Sequence, residues 1–164
     1  MTQTRLIETP QTRLAMLGHA LPVRAPAPVG AFDNARRHGD LLFVSGQGPV
    51  REDGSLAHGK VGLDVSAEEA RAHAELVTLN LLAVVNDKLG GLDGVGAVVK
   101  LVGLVNATPD FERHPFVIDG ASELLHAVFG ADGVHARTSY GVASLPNKIT
   151  VEIDAIFAVR PEWG

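Results

Sequence analysis

A chain of 164 residues, 46% apolar and 20% charged, has the length and composition of one soluble domain around a single core. Its formal charge is -5 and it has no basic tract, which disfavours nucleic-acid partners, because phosphate contacts need clustered Lys and Arg. The absence of cysteine excludes disulfides, thiolate metal sites and a thiol nucleophile, and no apolar run reaches the roughly 18 to 20 residues that cross a bilayer.

Met1 to Pro10 lacks the apolar segment of a signal peptide, so the cytoplasm is the expected location. Residues 1–18 are expected to form a short helix broken near Pro10, with Arg13 to Leu17 its best part and Gly18 its stop. Residues 22–30 carry Pro22, Pro26, Pro28 and Gly30 and read as an extended connector. Leu41 to Val44 is a short apolar run, expected to be a buried strand, and it ends in a turn at Ser45-Gly-Gln-Gly-Pro49. Arg51 to Gly59 is polar and punctuated by glycine, which suits a hairpin or loop.

A helix is expected from Ser66 to Leu89. Ser66 and Glu69 form an S-x-x-E capping box, in which each side chain satisfies an orphan amide. Ala70, Ala74, Val77, Leu81, Val84 and Val85 make one apolar stripe at helical spacing, and Gly90-Gly91 supplies the stop. Ala97 to Val105 is almost wholly apolar and suits a strand covered on both faces or at a subunit contact. Pro115 fits the first turn of a second helix, with Phe116, Leu124, Leu125 and Val128 inward and Gly130 at its end. Two strands follow, Arg137 to Leu145 and Ile149 to Val159, joined by a Leu-Pro turn. The order predicts an α+β sheet with both helices on one face. Val98, Leu101, Val105, Val142, Ile153 and Phe157 are expected to leave apolar surface on the other face, which predicts oligomerisation.

The last two strands carry the candidate chemistry. The Arg137 guanidinium offers a planar fork that can hold a small carboxylate through two parallel hydrogen bonds. Glu152 can orient or deprotonate a water, and it shares a polar strand face with Thr150 and Asp154. A tight hairpin at 145–148 sets Arg137 opposite residue 156, about 13 Å along the strand from Glu152. The seven histidines show no H-x-H or H-E-x-x-H spacing, which argues against a metal; His73 and His126 fall on helices and are expected at the surface or an interface.

Several pieces occur in order between about residue 28 and residue 159: Leu42-Phe-Val-Ser-Gly-Gln47 with Pro49, the long central helix, the apolar strand through Val105, Arg137-Thr-Ser, Val142-Ala-Ser-Leu-Pro146 and Val151-Glu-Ile-Asp-Ala-Ile156. Jointly they resemble the YjgF/YER057c/UK114 proteins, also called Rid proteins and, under older names, endoribonuclease L-PSP or translation inhibitors. The N-terminal extension, residues 1–28, and the stretch Asp119 to Glu123 resemble a slightly longer subgroup, with 29–160 as the core of the single domain.

The resemblance implies a chorismate-mutase-like α+β fold of the bacillus type. It implies a homotrimer whose sheets line an inner barrel, with three clefts between neighbouring subunits. The implied reaction is hydrolysis of 2-imino acids to 2-keto acids and ammonia, with no cofactor or metal. Arg137 matches the family arginine that grips the substrate carboxylate, and Glu152 the glutamate that positions the attacking water. Ser45, Gly46, Gln47 and Gly48 match the turn whose backbone lines the pocket, and Ser139 a small residue whose amide meets the ligand carboxylate. Phe32 stands where many relatives have tyrosine, and Asp119 near an asparagine, where a carboxylate repels an anionic substrate unless it faces away. These two departures favour an alternative, a non-catalytic trimer that binds a keto acid or similar small anionic metabolite. The ribonuclease reading is disfavoured by the acidic charge.

Overall fold

In the computed structural model, which describes residues 8–163, the first element is α1, Pro10–Met16. Thr9 caps it: its Oγ1 accepts from the Thr12 amide at 3.1 Å, and Thr12 Oγ1 accepts from the Thr9 amide at 2.8 Å. Pro10 therefore starts the helix instead of breaking it, because the first turn needs no amide donor. Residues 1–7 of the expected segment lie outside the described residues.

Two short strands, β1 (Ala35–His38) and β2 (Leu41–Gln47), form a hairpin through Gly39, whose φ is +59°. The sequence pointed to residues 51–59 for a hairpin or loop, and there the described chain turns through two isolated antiparallel bridges, Val50 to Leu56 and His58 to Ile149. β1 escapes the apolar pattern because it is an edge strand that buries only Ala35. In β2, Leu42 and Val44 are buried while Leu41 and Phe43 are exposed, so this strand has one covered face and not two.

Helix α2 (Ala67–Leu89) has the expected cap. Ser66 Oγ accepts from the Glu69 amide at 3.1 Å and Glu69 Oε2 from the Ser66 amide at 2.8 Å. Gly90 closes it in the left-handed conformation, and all six stripe residues are buried. Ser66→Ala is expected to lower stability by about 1 kcal/mol, read as a shifted urea midpoint with an unchanged slope.

The remaining elements are β3 (Val95–Asn106), α3 (His114–Phe129), β4 (Ala136–Val142) and β5 (Val151–Val159). The sheet order is β1-β2-β5-β3-β4, with β3 and β4 parallel and every other neighbouring pair antiparallel. The expected hairpin between the last two strands is thus overturned: β5 inserts between β2 and β3, and β4 lies beyond β3 at the edge. A turn does follow Leu145-Pro146, and Asn147 and Lys148 pass through it with φ of 53° and 57°.

Helices α2 and α3 pack together over one sheet face. Val98, Leu101, Val105, Ile153 and Phe157 lie under them at 0–2% exposure, so these residues do not form the open face as expected. Val142 alone of that set stays partly exposed. The open face is made by the alternate positions, where Leu41, Phe43, Val99 and Tyr140 are exposed. Phe116 is half-buried and not fully inward; the Arg71 and Arg113 guanidinium carbons stand 4.7 and 4.2 Å from its ring centre. No helix among the described residues is long and apolar enough to cross a membrane.

Candidate functional site

Glu152 projects from β5 on the open side of the sheet, opposite Leu104 of β3. Its carboxylate lies directly over Gly46 of β2. A Cβ at Gly46 would fall 2.3 Å from Glu152 Oε1, so the side chain occupies space that only glycine leaves. Phe32, Gly46, Gln47, Gly48, Pro146, Asn147 and Glu152 surround a small cavity of about 110 Å³. The structure therefore brings together five of the residues expected from the sequence. Gln47 itself is buried, and its amide donates to the Ser45 carbonyl at 3.1 Å, so its side chain holds the turn. Ser45 faces an adjoining cavity with Phe32, Arg36 and Asp154, and its hydroxyl donates to the Asp33 carbonyl at 2.7 Å.

Burial pushes the Glu152 carboxyl above the usual range, and the neighbouring Asp154 adds to the shift. Burial raises Asp154 as well, with Lys100 opposing. A carboxylate poised nearer neutrality is a better proton acceptor from water than an ordinary surface glutamate. Thr150 does not belong to this polar stripe. It precedes β5, is fully buried, and its Oγ1 pairs with His73 Nδ1 at 3.0 Å. His73 is accordingly half-buried, whereas His126 is exposed.

Arg137 projects the other way. It stands beside Leu101, a residue of the helix-covered face, and Ser139 beside Gly103 on that same face. Arg137 Nη1 donates to Asp119 Oδ1 at 2.8 Å and to Ser122 Oγ at 3.0 Å, and Nη2 donates to the Pro115 carbonyl at 3.3 Å. Asp119 neither repels from afar nor faces away: it pairs with the arginine. Its other oxygen lies 4.0 Å from Arg71, which also bonds Glu123.

Arg137 and Glu152 do not meet within one chain. They flank β3 on different strands, three residues apart along it, which is about 10 Å, and they leave the sheet from opposite faces. Two residues missing from the sequence reading join the arginine side. Ser122 Oγ is 2.9 Å from His135 Nε2, and His135 Nδ1 is 2.7 Å from the Gly133 carbonyl. With Glu123, His126 and Arg137 they line a cleft of about 320 Å³. Among the described residues, no three His, Asp or Glu side chains come close enough to share a metal ion.

Residues 11–158 match a family model described as "YjgF/chorismate mutase-like, putative endoribonuclease". The chain is 39% identical over 144 residues to Protein TCP17 of Trypanosoma cruzi, covering 87% of this chain and 89% of that one. It is 28% identical to a 2-iminobutanoate/2-iminopropanoate deaminase of Dermatophagoides farinae, over 83% of this chain and 91% of the relative. The crystal structure of a protein of unknown function from Agrobacterium tumefaciens superposes with a TM-score of 0.85 at 42% identity, covering 92% of both chains.

Proposed function

We propose that this chain, which belongs to the YjgF/chorismate mutase-like family, is a deaminase that hydrolyses 2-imino acids to 2-keto acids and ammonia. The observation that carries this reading is Glu152, half-buried over Gly46 at a small cavity with its carboxyl shifted upward. Water adds to the C=N carbon while Glu152 accepts its proton. The proton returns to nitrogen, and the carbinolamine collapses to the keto acid with release of ammonia. The likeness to a named 2-iminobutanoate/2-iminopropanoate deaminase supports the same chemistry.

The reaction needs an anchor for the substrate carboxylate, and Arg137 faces away from Glu152 in its own chain. The reading therefore includes a homotrimer, in which the cleft takes Glu152 from one copy and Arg137 from its neighbour. The open sheet face, with Leu41, Phe43 and Tyr140 exposed, supplies apolar surface for such an assembly. Ser139, beside Arg137 on β4, presents its backbone to the same carboxylate. The cytoplasm is the proposed location, and no cofactor or metal enters the reaction as written.

The test is ammonia and keto-acid release from 2-iminopropanoate and 2-iminobutanoate generated in situ. Wild-type protein is expected to accelerate release, and Arg137→Ala to lose about 10²-fold in kcat/KM with the loss of charge-assisted contacts. A variant with wild-type turnover would remove Arg137 from the site. One observation favours a second reading, a non-catalytic keto-acid-binding trimer: Phe32 lines the Glu152 cavity and brings no hydroxyl to it. Saturable keto-acid binding with no acceleration of any imine would establish it.

A further inference from the structure

The hydrogen-bond chain behind Arg137 has a fixed direction. A guanidinium only donates and a carbonyl only accepts. Arg137 therefore donates to Ser122 Oγ, and His135 Nδ1 carries the proton that it gives to the Gly133 carbonyl. That leaves His135 Nε2 as an acceptor, and the Ser122 hydroxyl donates to it. Gly133 holds its carbonyl in place because the backbone there lies against α3: a Cβ would fall 2.2 Å from the Leu125 carbonyl oxygen. Burial lowers the His135 pKa, with the Gly133 hydrogen bond opposing and Arg137 adding, which favours the neutral imidazole that the hydrogen-bond directions require.

The charges around this chain already balance. Asp119 and Glu123 of α3 face Arg137 of β4 and Arg71 of α2, and His126 of α3 lines the same cleft. Two arginines against two carboxylates leave no spare positive charge for an anion. A carboxylate entering alone would give this solvent-edge cluster a net negative charge, a like-charge cost that solvent only partly screens. A protonated His135 would restore neutrality. Both its nitrogens would then donate, Nε2 to Ser122 Oγ and Nδ1 to Gly133. With Arg137 and His135 both donating to it, Ser122 Oγ would direct its own proton to a new acceptor in the cleft.

We propose that His135 couples ligand binding at this site to uptake of a proton: a small carboxylate enters beside Arg137, His135 takes up one proton from solvent, and the Ser122 hydroxyl turns to donate to the carboxylate. This rests on the reading of Arg137 as the carboxylate-holding end of the cleft. It makes Ser122 a ligand contact and His135 a positioning residue behind it.

Pyruvate is a suitable probe. Calorimetric titrations between pH 5.5 and pH 8.5, in buffers of different ionisation enthalpy, read both affinity and proton uptake. About one proton per pyruvate is expected at neutral pH and above, with affinity falling about tenfold per pH unit there. His135→Gln keeps an acceptor for Ser122 but cannot charge, and is expected to bind with a flat pH profile at the weak level of the wild type at high pH. A wild-type profile with no slope, or a slope unchanged in His135→Gln, overturns the inference while leaving Arg137 as the anchor. Absence of pyruvate binding even at pH 5.5 overturns both. Should the variant not fold, a histidine-resolved NMR titration of the wild type decides the matter, because saturation with pyruvate must raise the pKa of His135.

Discussion

Phe157→Ala is expected to lower folding stability by about 3–5 kcal/mol, a large share of the 5–15 kcal/mol typical of a domain. Phe157 is fully buried on β5, between Leu42 of β2 and Val98 of β3, beneath the helices. Truncation removes most of an aromatic side chain from a fully buried site. The neighbours are held by ladders on both sides and cannot close the hole, so a cavity term adds to the lost transfer energy. Urea denaturation measures it. Ile156→Ala, one residue along and on the open face, is the control, expected to cost less in the isolated chain. A loss below about 1 kcal/mol for Phe157→Ala would mean that the core around β5 relaxes freely.

The second large effect concerns Gly46. Its φ is not in the left-handed region, so alanine is conformationally permitted there; the conflict is with Glu152, whose Oε1 would lie 2.3 Å from the new Cβ. Gly46→Ala is therefore expected to displace the carboxylate and reduce imine hydrolysis about as much as Glu152→Gln, by roughly 10²- to 10⁴-fold. The pH behaviour separates this from unfolding. The carboxyl of Glu152 is raised by burial first and by Asp154 second. A raised carboxyl binds its proton more tightly in the folded state, so stability falls as pH rises from the ordinary glutamate range through the folded value, and stays lower above it. Glu152→Gln removes that fall. The variant should melt at or above the wild-type temperature at pH 7 while turning over far more slowly. The acid limb of wild-type activity should lie above the ordinary glutamate range. A destabilised Glu152→Gln would contradict the electrostatic account.

The contrast between what the sequence disclosed and what it hid follows the range of the interactions. Helix α2 was legible because its signals are local: the Ser66–Glu69 box, the buried stripe and Gly90 all act within a few residues. Strand β1 was not, since an edge strand with only Ala35 inward has no apolar pattern to read. The order of β4, β3 and β5 was misread because adjacency in sequence suggested a hairpin, and nothing local tells β5 to insert between β2 and β3. Glu152 was picked out as a carboxylate within a strand and Gly46 through family resemblance, but the reason for the glycine is visible only with the carboxylate lying over it. Ser122 and His135 escaped because helix α3 and the loop leading into β4 bring them together at a spacing that fits no motif, and the histidines were weighed only against metal patterns.

The sheet places Glu152 and Arg137 on opposite sides of one wall. Under the proposed reading, a solitary chain owns one half of each of two clefts and the whole of none. Turnover then obeys mass action among the chains themselves. Dilution below the association range silences the protein without unfolding it, and a cell sets the activity through abundance more steeply than one-for-one.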